Sequence, residues 1–86
     1  MTVISDKIIK LLNYRIQQEE LSARIYLSIS TCMAYKGYQG AAKLFKKYSE
    51  EEIYHSTFAY DYLLSLDIRP VISPLEDIYK EYEGIV

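Results

Sequence analysis

The pattern of apolar and polar positions divides the chain into two long helical stretches. Apolar residues recur every three or four positions over 6–36 without a glycine or proline, which predicts a first helix there. Ser5 is placed to cap its start, and Gly37 to end it. A second stretch of the same kind predicts a helix over about 41–66, which must stop before Pro70.

The predicted connection between the two helices is short. Only residues 37–40 separate them, and so short a connection favours an antiparallel hairpin. The run from Ser73 to Glu76 has the form of a capping box with Pro74 at the first helical position, so a short third helix is predicted over about 74–83. At 86 residues the chain is expected to be one all-α domain over residues 1–86.

Helix 1 carries apolar residues on two opposite sides when its residues are placed 100° apart. The members are Leu12, Ile16, Glu19, Ala23, Tyr26 and Ser30 on one side, and Tyr14, Leu21, Ile25, Ile29 and Cys32 on the other. Helix 2 of the same hairpin can cover only one of these sides. We therefore expect a homo-oligomer with a dimer as its minimal unit, in which two hairpins form a four-helix bundle, alone or within a larger ring.

Two carboxylates lie inside these apolar sides. Glu19 is near the centre of one side of helix 1, and Glu52 has the same place on helix 2. A buried carboxylate is costly unless it is paired or binds a metal. His55 follows Glu52 at i+3, so both side chains project from one side of the helix and can hold the same ion. The predicted metal ligands are therefore Glu19, Glu52 and His55.

Two chains would bring together four carboxylates and two imidazoles, which is enough to hold two iron ions per dimer, with manganese as an alternative. The expected heights of the two carboxylates along the hairpin oppose this interpretation. If the hairpin turns about position 38.5, Glu19 and Glu52 lie at heights that differ by about 9 Å at the helical rise. A single histidine on a helix is also more often a packed or surface residue than a ligand.

Charge and composition exclude several classes of function. The formal net charge is −2 and acidic and basic residues nearly balance, which does not favour binding to nucleic acid or to an anionic membrane surface. No apolar run is long enough to span a bilayer. Cys32 is the single cysteine, so no intramolecular disulfide can form. The first residues lack the features of a signal peptide, and a cytoplasmic location is expected.

Two segments resemble the ferritin family. Residues 40–55 are similar to the second ferritin helix, in which a Phe-rich start leads into Ser-Glu-Glu-Glu-x-x-His, and residues 11–28 are similar to the first helix. The resemblance covers about residues 8–69. It implies that Glu19 and Glu52 are the terminal and bridging ligands of a di-iron ferroxidase site and that His55 is its histidine ligand.

The resemblance also implies an activity. Tyr26 matches the family tyrosine that neighbours the di-iron site, where it would supply an electron or a hydrogen bond, and we interpret it as the catalytic candidate. The chain would then be a ferroxidase that oxidises ferrous to ferric iron, with dioxygen or hydrogen peroxide as the oxidant. A di-iron peroxidase is a variant of the same interpretation.

The layout departs from that of a ferritin subunit, which folds four long helices in one chain. These 86 residues predict only two, and in this they are more similar to the encapsulated ferritins. Those are two-helix proteins that complete a di-iron centre between subunits and work inside a protein shell. The resemblance therefore implies a half-ferritin with a shared site. Two alternatives stay open: a metal-free helical interaction module, and a ferritin fragment without an autonomous role.

Overall fold

A computed structural model describes residues 4–77 as a hairpin of two long helices. Helix α1 spans Asp6–Tyr35 and helix α2 spans Gln39–Ser65. This confirms the predicted all-α hairpin, and the predicted ends at 36, 41 and 66 differ from the observed ones by one or two residues. Residues 4–77 contain no strand.

The ends of α1 follow from local chemistry. The Ser5 hydroxyl accepts a hydrogen bond of 3.3 Å from the backbone N–H of Ile8, which satisfies one of the free donors of the first turn. After α1, Gly37 adopts φ +91, a left-handed conformation that a residue with a Cβ rarely adopts. The N–H of Tyr38 then donates to the carbonyl of Met33 at 2.8 Å and closes the last turn.

The two helices contact each other through a small apolar cluster at the open end of the hairpin. Ile16 of α1 and Leu63 of α2 are fully buried, and Ala59 packs beside them. Around them lie the half-buried side chains of Ile4, Ile9, Leu12, Tyr60 and Ile68. Burial of a large aliphatic side chain contributes about 1.5–3 kcal/mol, so this cluster is the main apolar support of the hairpin.

Nearer the turn, the helices are joined through small side chains. The Ser30 hydroxyl of α1 donates to the carbonyl of Ala42 at 2.6 Å, and the Ser49 hydroxyl of α2 donates to the carbonyl of Ala23 at 2.7 Å. All four residues are buried. Small residues let the helix backbones approach closely, so each hydroxyl reaches the main chain of the opposite helix.

The segment after α2 returns along α1 without regular secondary structure up to residue 77. The N–H of Val71 donates to Asn13 Oδ1 at 2.9 Å, and Gln17 Nε2 donates to the carbonyl of Pro74 at 3.2 Å. The prediction of a helix starting at Pro74 was therefore wrong for residues 74–77, because α1 side chains bind this backbone in a non-helical conformation. The remainder of that predicted helix, 78–83, lies outside the described residues.

The hairpin is a single layer of helices, with extents of 53 × 21 × 13 Å. Many large apolar side chains are consequently exposed, among them Leu11, Tyr14, Tyr54, Phe58 and Tyr62. Neither α1 nor α2 has the length of apolar sequence that a membrane span requires.

Candidate metal centre

The three predicted ligands meet between the middle of α1 and the middle of α2. One ligand atom from each of Glu19, Glu52 and His55 lies within 4.8 Å of the other two. His55 Nδ1 is 3.6 Å from Glu19 Oε2 and 3.8 Å from Glu52 Oε2. The imidazole nitrogen therefore faces one oxygen of each carboxylate.

The register of the helices explains why these residues meet. Position 36 lies midway between Ser30 and Ala42, and also midway between Ala23 and Ser49, the two pairs joined by hydrogen bonds. Counted from position 36, residue 19 is 17 positions before and residue 52 is 16 positions after. The expected height difference of about 9 Å was wrong, because it took the midpoint of the connection as the centre of the pairing.

Burial falls from one ligand to the next. The side chain of Glu19 is 11% exposed, that of Glu52 24% and that of His55 50%. The two carboxylates thus lie between the helices, while the imidazole lies at the edge of the hairpin. A cation could approach this site from the side of His55.

Arg15 is a fourth residue at the site, and the sequence interpretation missed it. Its Nε lies 3.1 Å from Glu19 Oε1, so the two oxygens of Glu19 face different partners: Arg15 on one side and His55 on the other. The signal was present in the sequence, because arginine and glutamate four positions apart on a helix are neighbours.

Tyr26 lies two turns after Glu19 on α1, towards the connecting turn. Its ring packs against Phe45 at a centroid distance of 6.2 Å and against Tyr48 at 5.5 Å, and these two rings are 5.9 Å apart in an edge-on arrangement. Tyr26 is thus held in an aromatic cluster on the turn side of the ligands. Its catalytic role stays a prediction.

The donor set fits a divalent cation of the iron or manganese kind. It combines carboxylate oxygens with one imidazole nitrogen, and these metals accept both. Two carboxylates held close together between helices repel each other, and a bound cation would offset that repulsion. Three donors from one chain leave part of an iron or manganese coordination sphere without protein ligands.

Comparison with known proteins identifies the family of this chain. Residues 9–83 match the family model of the ferritin-like domain. The chain belongs to the ferritin family. A probable bacterial non-heme ferritin-like protein of Haemophilus influenzae is 30% identical over 83 residues, which are 96% of this chain and 50% of that protein.

Solved ferritin structures show the same fold. The ferritin of Chlorobium tepidum superposes with a TM-score of 0.86 at 25% identity, over 92% of this chain and 48% of that one. An open-pore ferritin of the archaeon Archaeoglobus fulgidus gives a TM-score of 0.81 at 27% identity, over 86% of this chain and 46% of that one. The chain therefore spans about half the length of these ferritins.

Proposed function

We propose that this chain binds ferrous iron through Glu19, Glu52 and His55 and acts as one half of a ferroxidase centre, whose other half is an equal set of residues from a second copy. The observation that carries the proposal is the convergence of these three donors within 4.8 Å. Relatives named non-heme ferritins support the choice of iron. Manganese suits the same donors.

The surface around His55 supports the proposal of a second copy. Tyr48, Phe58 and Tyr62 are exposed, and they lie seven residues before, three after and seven after His55, which places all of them on its side of α2. A large exposed apolar surface beside polar groups is typical of a protein interface. A second hairpin on this side would cover these rings and add two further carboxylates and an imidazole.

Each candidate residue of the chain has its own role in the proposed centre. Glu19 and Glu52 supply the negative charge that would bind the cations, and four such carboxylates from two copies balance two divalent ions. His55 would bind as neutral imidazole, and its exposure provides a path to the site. When two ferrous ions are bound, they supply two electrons, which together with two protons reduce dioxygen to hydrogen peroxide. Tyr26 is our candidate for a further electron or a hydrogen bond.

The test is Glu19→Ala, measured by anaerobic ferrous titration and by the rate of iron oxidation with dioxygen or hydrogen peroxide. We expect the original chain to bind two irons per dimer and the variant to lose both binding and oxidation. Glu50→Ala is the matched control, because Glu50 is exposed and its loss changes the net charge equally.

A folded dimer that binds no iron would contradict the proposal. Iron binding that survives Glu19→Ala would also contradict it. If the chain is a metal-free interaction module, Glu19→Ala should not weaken the binding of its partner. If it is a fragment without an autonomous role, light scattering should find only monomers or aggregates. The ratio of the two oxidation rates separates a ferroxidase from a peroxidase.

A further inference from the structure

Arg15 forms an ion pair with Glu19, the most buried of the candidate ligands. Its side chain is 67% exposed, whereas that of Glu19 is 11% exposed. The guanidinium thus reaches from solvent to Glu19 Oε1, at 3.1 Å, while Glu19 Oε2 faces His55 at 3.6 Å. Oε1 of Glu19, the most buried candidate ligand, is therefore already paired with the positive charge of Arg15.

This contact has opposite effects with and without a metal. Without a metal, Arg15 supplies the positive charge that a nearly buried carboxylate needs. With a metal, the same charge lies one carboxylate away from a divalent ion and repels it. A guanidinium does not lose its proton in proteins, so its charge persists in both states.

We propose that Arg15 is the internal counter-ion of the metal-free centre: it stabilises Glu19 when the site holds no metal and lowers the affinity of the site for divalent cations. It does so because it neutralises Glu19 and binds Oε1, so that an incoming ion must share this carboxylate or displace the arginine. Displacement is easy because the arginine side chain is mostly in solvent. Arg15 is on this view a positioning residue, not a ligand.

The first test measures the metal-free chain in the presence of a chelator. Arg15→Gln should lower the melting temperature, whereas Arg24→Gln should leave it nearly unchanged. Arg24 is a matched control, since it is an exposed arginine of α1 that lies nine residues further on and on the opposite side of the helix. In a Glu19→Gln background, Arg15→Gln should have no effect, because the partner charge is gone.

An equal effect of Arg15→Gln with and without Glu19 would overturn the inference, because the arginine would then act through other contacts. This comparison of Arg15→Gln with and without Glu19 does not depend on whether metal binds, so it is informative even if the proposed function fails.

The second test measures affinity by calorimetric titration of the full chain with Zn²⁺, which cannot be oxidised; this arm rests on the proposed function. Arg15→Gln should bind Zn²⁺ about tenfold more tightly than the original chain, the size expected for one nearby charge in a water-like dielectric. Arg15→Lys keeps the charge and should stay close to the original affinity, and Arg24→Gln should not change it.

Unchanged or weaker binding by Arg15→Gln would overturn the inference and leave the proposed metal site standing. Absence of Zn²⁺ binding in all four chains, together with a stability effect that depends on Glu19, would support the counter-ion role of Arg15 and contradict the proposed function. The two failures are therefore distinguishable.

Discussion

Two neighbouring parts of the helix interface differ in how completely the hairpin satisfies them. The apolar cluster of Ile16, Ala59 and Leu63 is closed within the hairpin, since Ile16 and Leu63 are inaccessible to solvent. One turn further along α1, Glu19 begins the carboxylate cluster, whose third member His55 is half exposed. The first cluster is enclosed by the two helices and by Ile4 and Ile68 just beyond their ends, whereas the second is only partly enclosed.

The difference shows what each part contributes. Burial of apolar side chains stabilises the hairpin, whereas bringing two carboxylates together between helices opposes folding unless a cation offsets their charge. An apolar pair in place of Glu19 and Glu52 would extend the stabilising cluster by another turn. The proposed metal binding would account for carboxylates in this part of the interface.

The sharpest test of the apolar cluster is Leu63→Ala. We expect it to lower the free energy of unfolding by about 3 kcal/mol, because it removes buried methyl groups and leaves a cavity. Leu64→Ala is the control, as the next residue is a leucine that is 55% exposed, and its loss should cost well under 1 kcal/mol. Urea denaturation of both variants measures the difference, and similar losses would show that the cluster is not the main support.

The sharpest test of the carboxylate cluster is Glu52→Gln. We expect affinity for divalent cations to fall about 100-fold or more, because the loss of a ligand should cost at least as much as the loss of a residue that only hydrogen-bonds to a ligand. Its free energy of unfolding without metal should not fall. Glu50→Gln, which changes an exposed carboxylate in the same helix, should leave the affinity unchanged. If Glu52→Gln instead destabilised the metal-free chain as strongly as Leu63→Ala, the distinction between the clusters would be wrong.

A substitution in the connecting turn should change the stability of the whole hairpin, and therefore of both clusters. Gly37→Ala places a side chain at φ +91 and should lower the free energy of unfolding by about 1.5 kcal/mol. Gly40→Ala is the matched substitution within α2, where nothing lies within 4 Å of the new methyl group, and it should stabilise the helix slightly. Thermal melts should show opposite signs, and two destabilised variants would contradict this account of the turn.

The smallest predicted effect concerns the hydroxyl that sets the register. Ser49→Ala removes the hydrogen bond to the carbonyl of Ala23 and should cost about 1 kcal/mol. Ser65→Ala is the control, because its hydroxyl bonds to Tyr62 in the same helix and is exposed. A cost for Ser49→Ala no greater than for Ser65→Ala, measured by urea denaturation, would mean that the apolar cluster alone holds the register.

The helices and their ends were predictable from the sequence because the signals are local. Ser5 and Gly37 act within one turn of the residues that they cap, and the structure uses both as predicted. The third helix was predicted from the same kind of signal, but Asn13 and Gln17 bind the backbone of residues 71–74 and override it there. Contacts from a distant helix are not visible in a local pattern.

The register of the hairpin was harder to predict. Loop length alone does not determine which residues face each other, since side-chain contacts such as those of Ser30 and Ser49 decide it. A sequence signal did exist on α2. The buried residues Ala42, Ser49, Ser56 and Leu63 follow at intervals of seven, which is the spacing of one continuous inward line on a helix.

The convergence of the candidate ligands was predictable because Glu19 and Glu52 lay on inward sides of two helices, with His55 one turn after Glu52. Arg15 was not predicted, because an arginine and a glutamate four residues apart on a helix usually form an exposed pair of small energetic value. Only the burial of Glu19, which depends on the opposite helix, makes this pair different.

A hairpin only 13 Å thick has a consequence for how the protein responds to dilution. Within residues 4–77, α1 and α2 pack mainly against each other, and many of their large apolar side chains are exposed. If two copies pair as proposed, much of the apolar burial arises on association, so the number of chains per volume would set the melting temperature. Dilution would then destabilise the fold, and it would also separate the two halves of each proposed iron-binding site.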